Sequence, residues 1–224
     1  MIDLGRLVRL HPGVRWVAAQ VARYAASWDE SNELALTGDG RLWVVLGDST
    51  AQGVGAPAYD QGYVGQLKQM LDAKDGPWRV YNWSRSGARA RHVLDVQLPR
   101  LERLEVEPDL VTVAVGANDV YRTPLDQMRR ELSQIARRLP EGAVLATLPQ
   151  GLRPRKAMAA NEVIRAEASV AGLVVADVWA RTGPPWRGKF AEDHFHPGAL
   201  GYSDWTAAFA EALGLPGAGP GNAS

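Results

Sequence analysis

The sequence predicts an α/β fold, a three-layer α/β/α sandwich around a five-stranded parallel sheet. Three observations predict it. Short apolar runs at 42–46, 79–81, 110–115, 143–148 and 173–176 alternate with helix-like segments at roughly 60–73, 88–104, 124–139, 157–171 and 198–213, and strand alternating with helix is the pattern of βαβ units. The runs at 110–115 and 143–148 are apolar on both alternating faces, as strands covered on both sides are; right-handed crossovers then place helices on each face. Finally, polar clusters follow the first three runs, and another opens the last helical segment. In a parallel sheet the carboxyl ends share one edge, so residues far apart in the chain converge there.

Bulk composition fits one soluble globular domain. Of 224 residues 46% are apolar and 22% charged, and Lys+Arg balance Asp+Glu at 25 each, all ordinary values. The zero net charge offers no field for nucleic acid. Cysteine is absent, which excludes disulfides and thiolate metal sites. His11, His92, His194 and His196 are the histidines from which a catalytic base can be drawn. Arg6, Arg9, Arg15, Gln20 and Arg23 break every N-terminal apolar run before a secretory core forms, and no stretch of about 18 apolar residues exists to span a bilayer. A cytoplasmic location is the expectation.

Residues 1–40 form a preamble to a main domain at 41–213. Val14, Val17, Val21, Tyr24 and Trp28 recur at helical spacing. Up to Trp28 the segment carries Arg6, Arg9, Arg15 and Arg23 against Asp3 alone. A basic amphipathic helix over 1–28 can pack on the domain, fold over the site, or lie peripherally on an anionic membrane. Ser31–Gly40 is polar and turn-rich and reads as a linker. The tail, 214–224, is rich in Gly and Pro and reads as flexible.

The first strand, 42–46, ends abruptly in Gly47-Asp48-Ser49. Gly47 permits the sharp turn, and Ser49 then stands at the carboxyl edge, where a serine becomes a nucleophile if a base takes its proton. The second strand leads into Asn82-Trp83-Ser84-Arg85-Ser86-Gly87, and the third into Gly116-Ala117-Asn118-Asp119. Gly87 can offer a main-chain N–H at close range, and Asn118 a side-chain amide. With the Ser49 N–H these make three donors for a tetrahedral oxyanion. Asp119 reads as a loop-capping residue. Before the last helix comes Asp193-His194-Phe195-His196-Pro197. Pro197 holds His196 extended, and Asp193, three residues back, can fix its tautomer. His194 is the rival base, without a carboxylate at an equally suitable separation.

Ser49, Gly87, Asn118 and His196, in that order and with Asp193 ahead of the histidine, resemble the four blocks of the SGNH hydrolases, or GDSL esterases/lipases, of the small single-domain bacterial type. The usual leucine after Gly-Asp-Ser is Thr50 here, Asn82 is similar to the family's second block, and Gly198 stands where asparagine often follows the proline. The likeness spans about 42–210. It implies a flavodoxin-like strand order, Ser49 as nucleophile, His196 as base, Asp193 as its orienter, and Ser49, Gly87 and Asn118 as oxyanion hole. The reaction implied is hydrolysis of a small-molecule carboxylic ester or thioester through an acyl-enzyme, without metal or cofactor.

The same residues would serve a carbohydrate O-deacetylase or an acyltransferase. A non-catalytic small-molecule binding module on a flavodoxin-like fold is the reading from another class, but phosphate-binding glycine patterns are missing at the strand-to-helix turns. By position, Trp83, Arg85 and Tyr121 are expected to line the cleft, with Arg85 set to meet an anionic leaving group such as a phosphate. Trp186, shortly before Asp193, is expected to form a pocket wall.

Overall fold

The computed structural model describes residues 12–151 and 153–216. Helix α1 (Pro12–Thr37) precedes β1 (Arg41–Gly47), α2 (Tyr63–Asp75) and β2 (Trp78–Asn82). The next helical stretch, α3, has three parts: Ala90–His92, a wider π-type turn Val93–Gln97, and Leu98–Glu102. Then come β3 (Leu110–Ala114), α4 (Asp119–Arg122), α5 (Leu125–Arg138), β4 (Val144–Ala146), α6 (Pro154–Val170), β5 (Val174–Ala176), α7 (Val178–Arg181) and α8 (Ala199–Ala212). The five strands are all parallel, in the order β2-β1-β3-β4-β5. The order reverses between β1 and β3, and in open α/β sheets that is where ligands bind.

Each strand's alternation supplies both layers. Leu42, Val44 and Leu46 of β1 point into one apolar cluster with α3, α5 and α6. Trp43 and Val45 point into the other with α2 and α8. β3 is buried at every position, as a strand sandwiched between helices must be. The chain between strands forms helices because its apolar residues recur at 3.6-residue spacing: Met128, Leu132, Ile135 and Ala136 make the buried stripe of α5. No helix among the described residues is long and apolar enough to cross a membrane.

The preamble differs from expectation in one respect. The segment read as a linker from Ser31 is helical as far as Thr37, and only Gly38–Gly40 connects it to β1. Asn32 and Ala35 are buried, continuing the inner face four and seven residues beyond Trp28, and Glu33-Leu34-Ala35 are good helix formers. The polarity that suggested a loop belongs to an interface. Asn32 Nδ2 donates to the Asn82 carbonyl (2.9 Å), and the Asn82 N–H donates to Asn32 Oδ1 (2.7 Å). One side-chain amide thus stands where a neighbouring strand's peptide would, on the edge strand β2, and covers groups that otherwise template aggregation. Val17, Tyr24 and Trp28 are buried against the domain, while Trp16 and Leu34 face outward. Residues 1–11, which hold His11 and the rest of the basic segment, and the tail from 217 lie outside the described residues.

Candidate active site

The site is built on the turn after β1. Asp48, almost fully buried, accepts the Thr50 N–H (3.0 Å) and hydroxyl (2.6 Å) through Oδ1. This Asx turn bends the chain and leaves Ser49 at its crest. Burial pushes the Asp48 carboxyl above its usual pKa, partly offset by the Thr50 donors and the nearby His196. The turn is pinned from below: Gln97, carried inward on the π-type turn of α3, donates to the Gly47 carbonyl (2.9 Å) and accepts the Gly47 N–H (2.8 Å).

The second half arrives from the loop before α8. Asp193 Oδ1 accepts the N–H groups of Phe195 and His196, both at 3.0 Å. Its Oδ2 lies 2.6 Å from His196 Nδ1, and His196 Nε2 lies 2.9 Å from Ser49 Oγ. His194 takes left-handed backbone (φ +55°) and is exposed, which reverses the chain so that Asp193 and His196 share the inner side. Burial alone would raise the Asp193 carboxyl. The His196 side chain and the two main-chain donors outweigh it and hold Asp193 below the usual range, so it stays ionised. The carboxylate therefore keeps the proton on Nδ1 and leaves Nε2 open toward the serine. Gly55 makes this approach feasible: at φ +100° a Cβ there would sit 2.9 Å from His196 Cβ.

Donors surround Ser49. Gly87 (φ +78°) lies in a turn closed by the Ala88 N–H and the Arg85 carbonyl (2.9 Å). Asn118 Nδ2 donates to the Ala88 carbonyl (3.0 Å), which ties the loop after β3 to that turn and leaves its second amide hydrogen free. Among the described residues, neither the Ser49 N–H nor the Gly87 N–H has a hydrogen-bond acceptor. Asp119, fully buried, accepts the Ala90 N–H (2.9 Å) and the Thr123 hydroxyl (2.6 Å), holding the same two loops together. Gln52 reaches across from the serine turn to Ser84 and Ser86.

Beside Ser49 lies a small cavity of about 40 Å³, walled by Phe195, His196, Trp186, Phe190 and Trp205. Trp186 and Phe190 stack with ring centres 5.5 Å apart. Trp186 lines this cavity; the other three residues expected in the cleft divide. Trp83 is a correction: it is buried in the apolar cluster under α3, its indole 4.7 Å from the Tyr81 ring with the Arg100 guanidinium over its face. Two residues past Tyr81, it continues that residue's side of the strand, toward α3. Arg85 lines a separate hollow together with Gly87, Arg89 and His92. Tyr121 is exposed at the rim, its ring 6.0 Å from Phe195, with Arg153 above it. Phe190, Phe195 and Trp205 escaped the sequence reading because nothing in their spacing sets them apart from core aromatics; only the place of Phe195 between two histidines was a signal.

The doubly wound parallel sheet carries a serine, histidine and aspartate linked in series at its switch point. The sequence profile of the GDSL-like lipase/acylhydrolase family matches residues 45–203, and the chain belongs to that family. Solved structures with the same fold include TesA (25% identity, TM-score 0.65, covering 77% of this chain and 98% of that one). Axe2, an acetylxylan esterase from Geobacillus stearothermophilus, shares 21% identity (TM-score 0.63, 80% and 96% covered). LAE5, an α/β hydrolase from the metagenome of Lake Arreo, shares 22% (TM-score 0.63, 79% and 96% covered). A search of curated proteins gave no match.

Proposed function

We propose that the protein is a carboxylic ester hydrolase working through an acyl-enzyme on Ser49. The observation that carries this reading is the series Asp193–His196–Ser49, with contacts of 2.6 and 2.9 Å. Ser49 Oγ attacks the ester carbonyl as its proton passes to His196 Nε2. The negative oxygen is met by the Ser49 and Gly87 N–H groups and Asn118 Nδ2, each worth about 3 kcal/mol of barrier in such sites. His196 then gives the proton to the leaving alcohol, and water repeats the sequence in reverse to free the acid and Ser49. Asp193 stays ionised throughout and stabilises the imidazolium.

The cavity sets the acyl group. At about 40 Å³ and walled by Trp186, Phe190, Phe195 and Trp205, it suits a small acyl group better than a long chain. This favours short-chain and acetyl esters, O-acetylated carbohydrate among them. The test is labelling by a serine-directed fluorophosphonate with turnover of p-nitrophenyl acetate and octanoate. Wild type should label and prefer acetate, and Ser49→Ala should do neither. Labelling that persists in Ser49→Ala would refute the assignment, and equal turnover of both esters would refute the short-acyl reading alone.

A further inference from the structure

Two arginines bracket the oxyanion turn: Arg85 opens it and Arg89 follows its close, with Gly87 between them. Both are exposed; among the described residues neither has a carboxylate within ion-pair distance, though the Arg89 charge bears on the buried Asp119, whereas neighbouring Arg91 is paired with Asp95 at 2.6 Å. Arg85, Gly87, Arg89 and His92, together with the paired Arg91 and Asp95, line an open hollow of about 390 Å³, separate from the cavity beside Ser49. No side chain fills the space in front of Gly87, where a Cβ would meet no heavy atom within 4 Å. His92 reports the local field. Burial and the Arg85 charge hold its pKa below the ordinary imidazole range, against the opposing pull of Asp95. Unlike the apolar cavity, this hollow offers two free guanidinium groups, whose planar donors match phosphate oxygens.

We propose that this hollow receives the leaving-alcohol side of the substrate and that the alcohol carries a phosphate group. The inference rests on Ser49 acylation as proposed above. The acyl group occupies the small cavity, the scissile carbonyl lies over Gly87 and Asn118, and the alcohol passes beyond Gly87, where Arg85 and Arg89 bind its phosphate. The phosphorylated alcohol leaves with the Ser49 proton passed on by His196, and one water then cleaves the acyl-enzyme to the acid and returns the proton to Ser49. A soluble metabolite and a lipid headgroup share this chemistry, and the size of the acyl cavity favours the soluble source.

The test compares phenyl acetate with 4-acetoxyphenyl phosphate, which share an acyl group and scissile bond. A third substrate, a 2-acetyl glycerophospholipid in micelles, separates the two phosphate sources. Wild type should show a higher kcat/KM for the soluble phosphate ester than for phenyl acetate. Arg85→Gln/Arg89→Gln should reduce that preference about tenfold, as expected for two exposed charge pairs each worth up to about fivefold. Arg130→Gln, on an exposed position of α5, should leave it unchanged. Inorganic phosphate titrated into the wild-type protein should raise the NMR-measured pKa of His92, by offsetting Arg85, and should fail to do so in the double variant. A preference near one in wild type, or one untouched by the double substitution, overturns the phosphate subsite while Ser49 chemistry stands. Absence of turnover and of fluorophosphonate labelling brings down the underlying reading instead. Faster turnover of the micellar lipid than of the soluble ester overturns the soluble source.

Discussion

Helices α1 and α8 reach the same loop, residues 52–56 behind Ser49, by different chemistry. α8 is held mainly by its aromatic face, and Tyr202 also donates its hydroxyl to the Val54 carbonyl of that loop (2.6 Å). Tyr202, Trp205 and Phe209 are buried in the core, and Phe209 stacks on Tyr63 with centres 4.7 Å apart. α1 is held by side chains four residues apart that bond to main chain. Gln20 accepts the Gly55 N–H (2.8 Å) and donates to the Ala56 carbonyl (3.1 Å). Tyr24 donates to the same carbonyl (2.8 Å) and Trp28 to that of Gln52 (3.1 Å), and Asn32 pairs with Asn82. The family match runs from residue 45 to 203, so it leaves out α1 and takes in only the first turn of α8. The contrast teaches that α8 is part of what makes the domain fold, while α1 is a clasp on the loop that backs the histidine.

The contrast can be broken in order of size. Phe209→Ala should cost about 3–5 kcal/mol of stability, the usual loss for a buried aromatic, seen as a lowered denaturation midpoint, with kcat of the folded fraction little changed. Gln20→Ala should cost less, about 1–3 kcal/mol for a buried group left unpaired, because Tyr24 still serves Ala56 and only the Gly55 N–H is stranded. Its mark should be kinetic: Gly55 lies against His196 Cβ, so kcat should fall with KM nearly constant. An equal loss of kcat in Phe209→Ala would dissolve the distinction. Tyr24→Phe removes one neutral hydrogen bond and should cost about 0.5–1.5 kcal/mol in the same denaturation assay.

A pH effect also separates the two sides. The amide clasps of α1 do not titrate, but Asp48 lies on the α8 side, where its charge also bears on Tyr63 and Tyr202. Its carboxyl is raised by burial. The folded state therefore holds that proton more tightly than the unfolded one, and the resulting stability is present below the unfolded carboxylate pKa and is lost as pH rises through the folded value. Asp48→Asn should flatten that stretch of the stability–pH profile; a slope unchanged by the substitution would place its source elsewhere. Asp193 works in the opposite sense. Its depressed carboxyl stabilises the fold above the usual carboxylate range and loses that contribution only as pH falls through the lower, folded value.

Much of the site was legible before any coordinates. Ser49, Gly87, Asn118, Asp193 and His196 each sit beside a strand end or open the last helix, and a parallel sheet gathers such positions at one edge. Trp83 misled because position beside a strand end does not say which way a side chain turns. Ser31–Thr37 misled because polar residues on the inner face of a helix look like a linker until their main-chain partners are known.

The sequence by itself determined the order of strands and helices and the residue types at the carboxyl edge, since both follow from local periodicity and from where apolar runs stop. Only the tertiary structure decided what each amide and aromatic does. Gln20, Asn32 and Gln97 bond to peptides 35, 50 and 50 residues away, and Trp205 joins Trp186 and Phe190 in one wall only when α8 meets the loop that carries them. Such pairings leave no local pattern, because a hydrogen bond or a ring contact depends on distance in space and not on spacing along the chain.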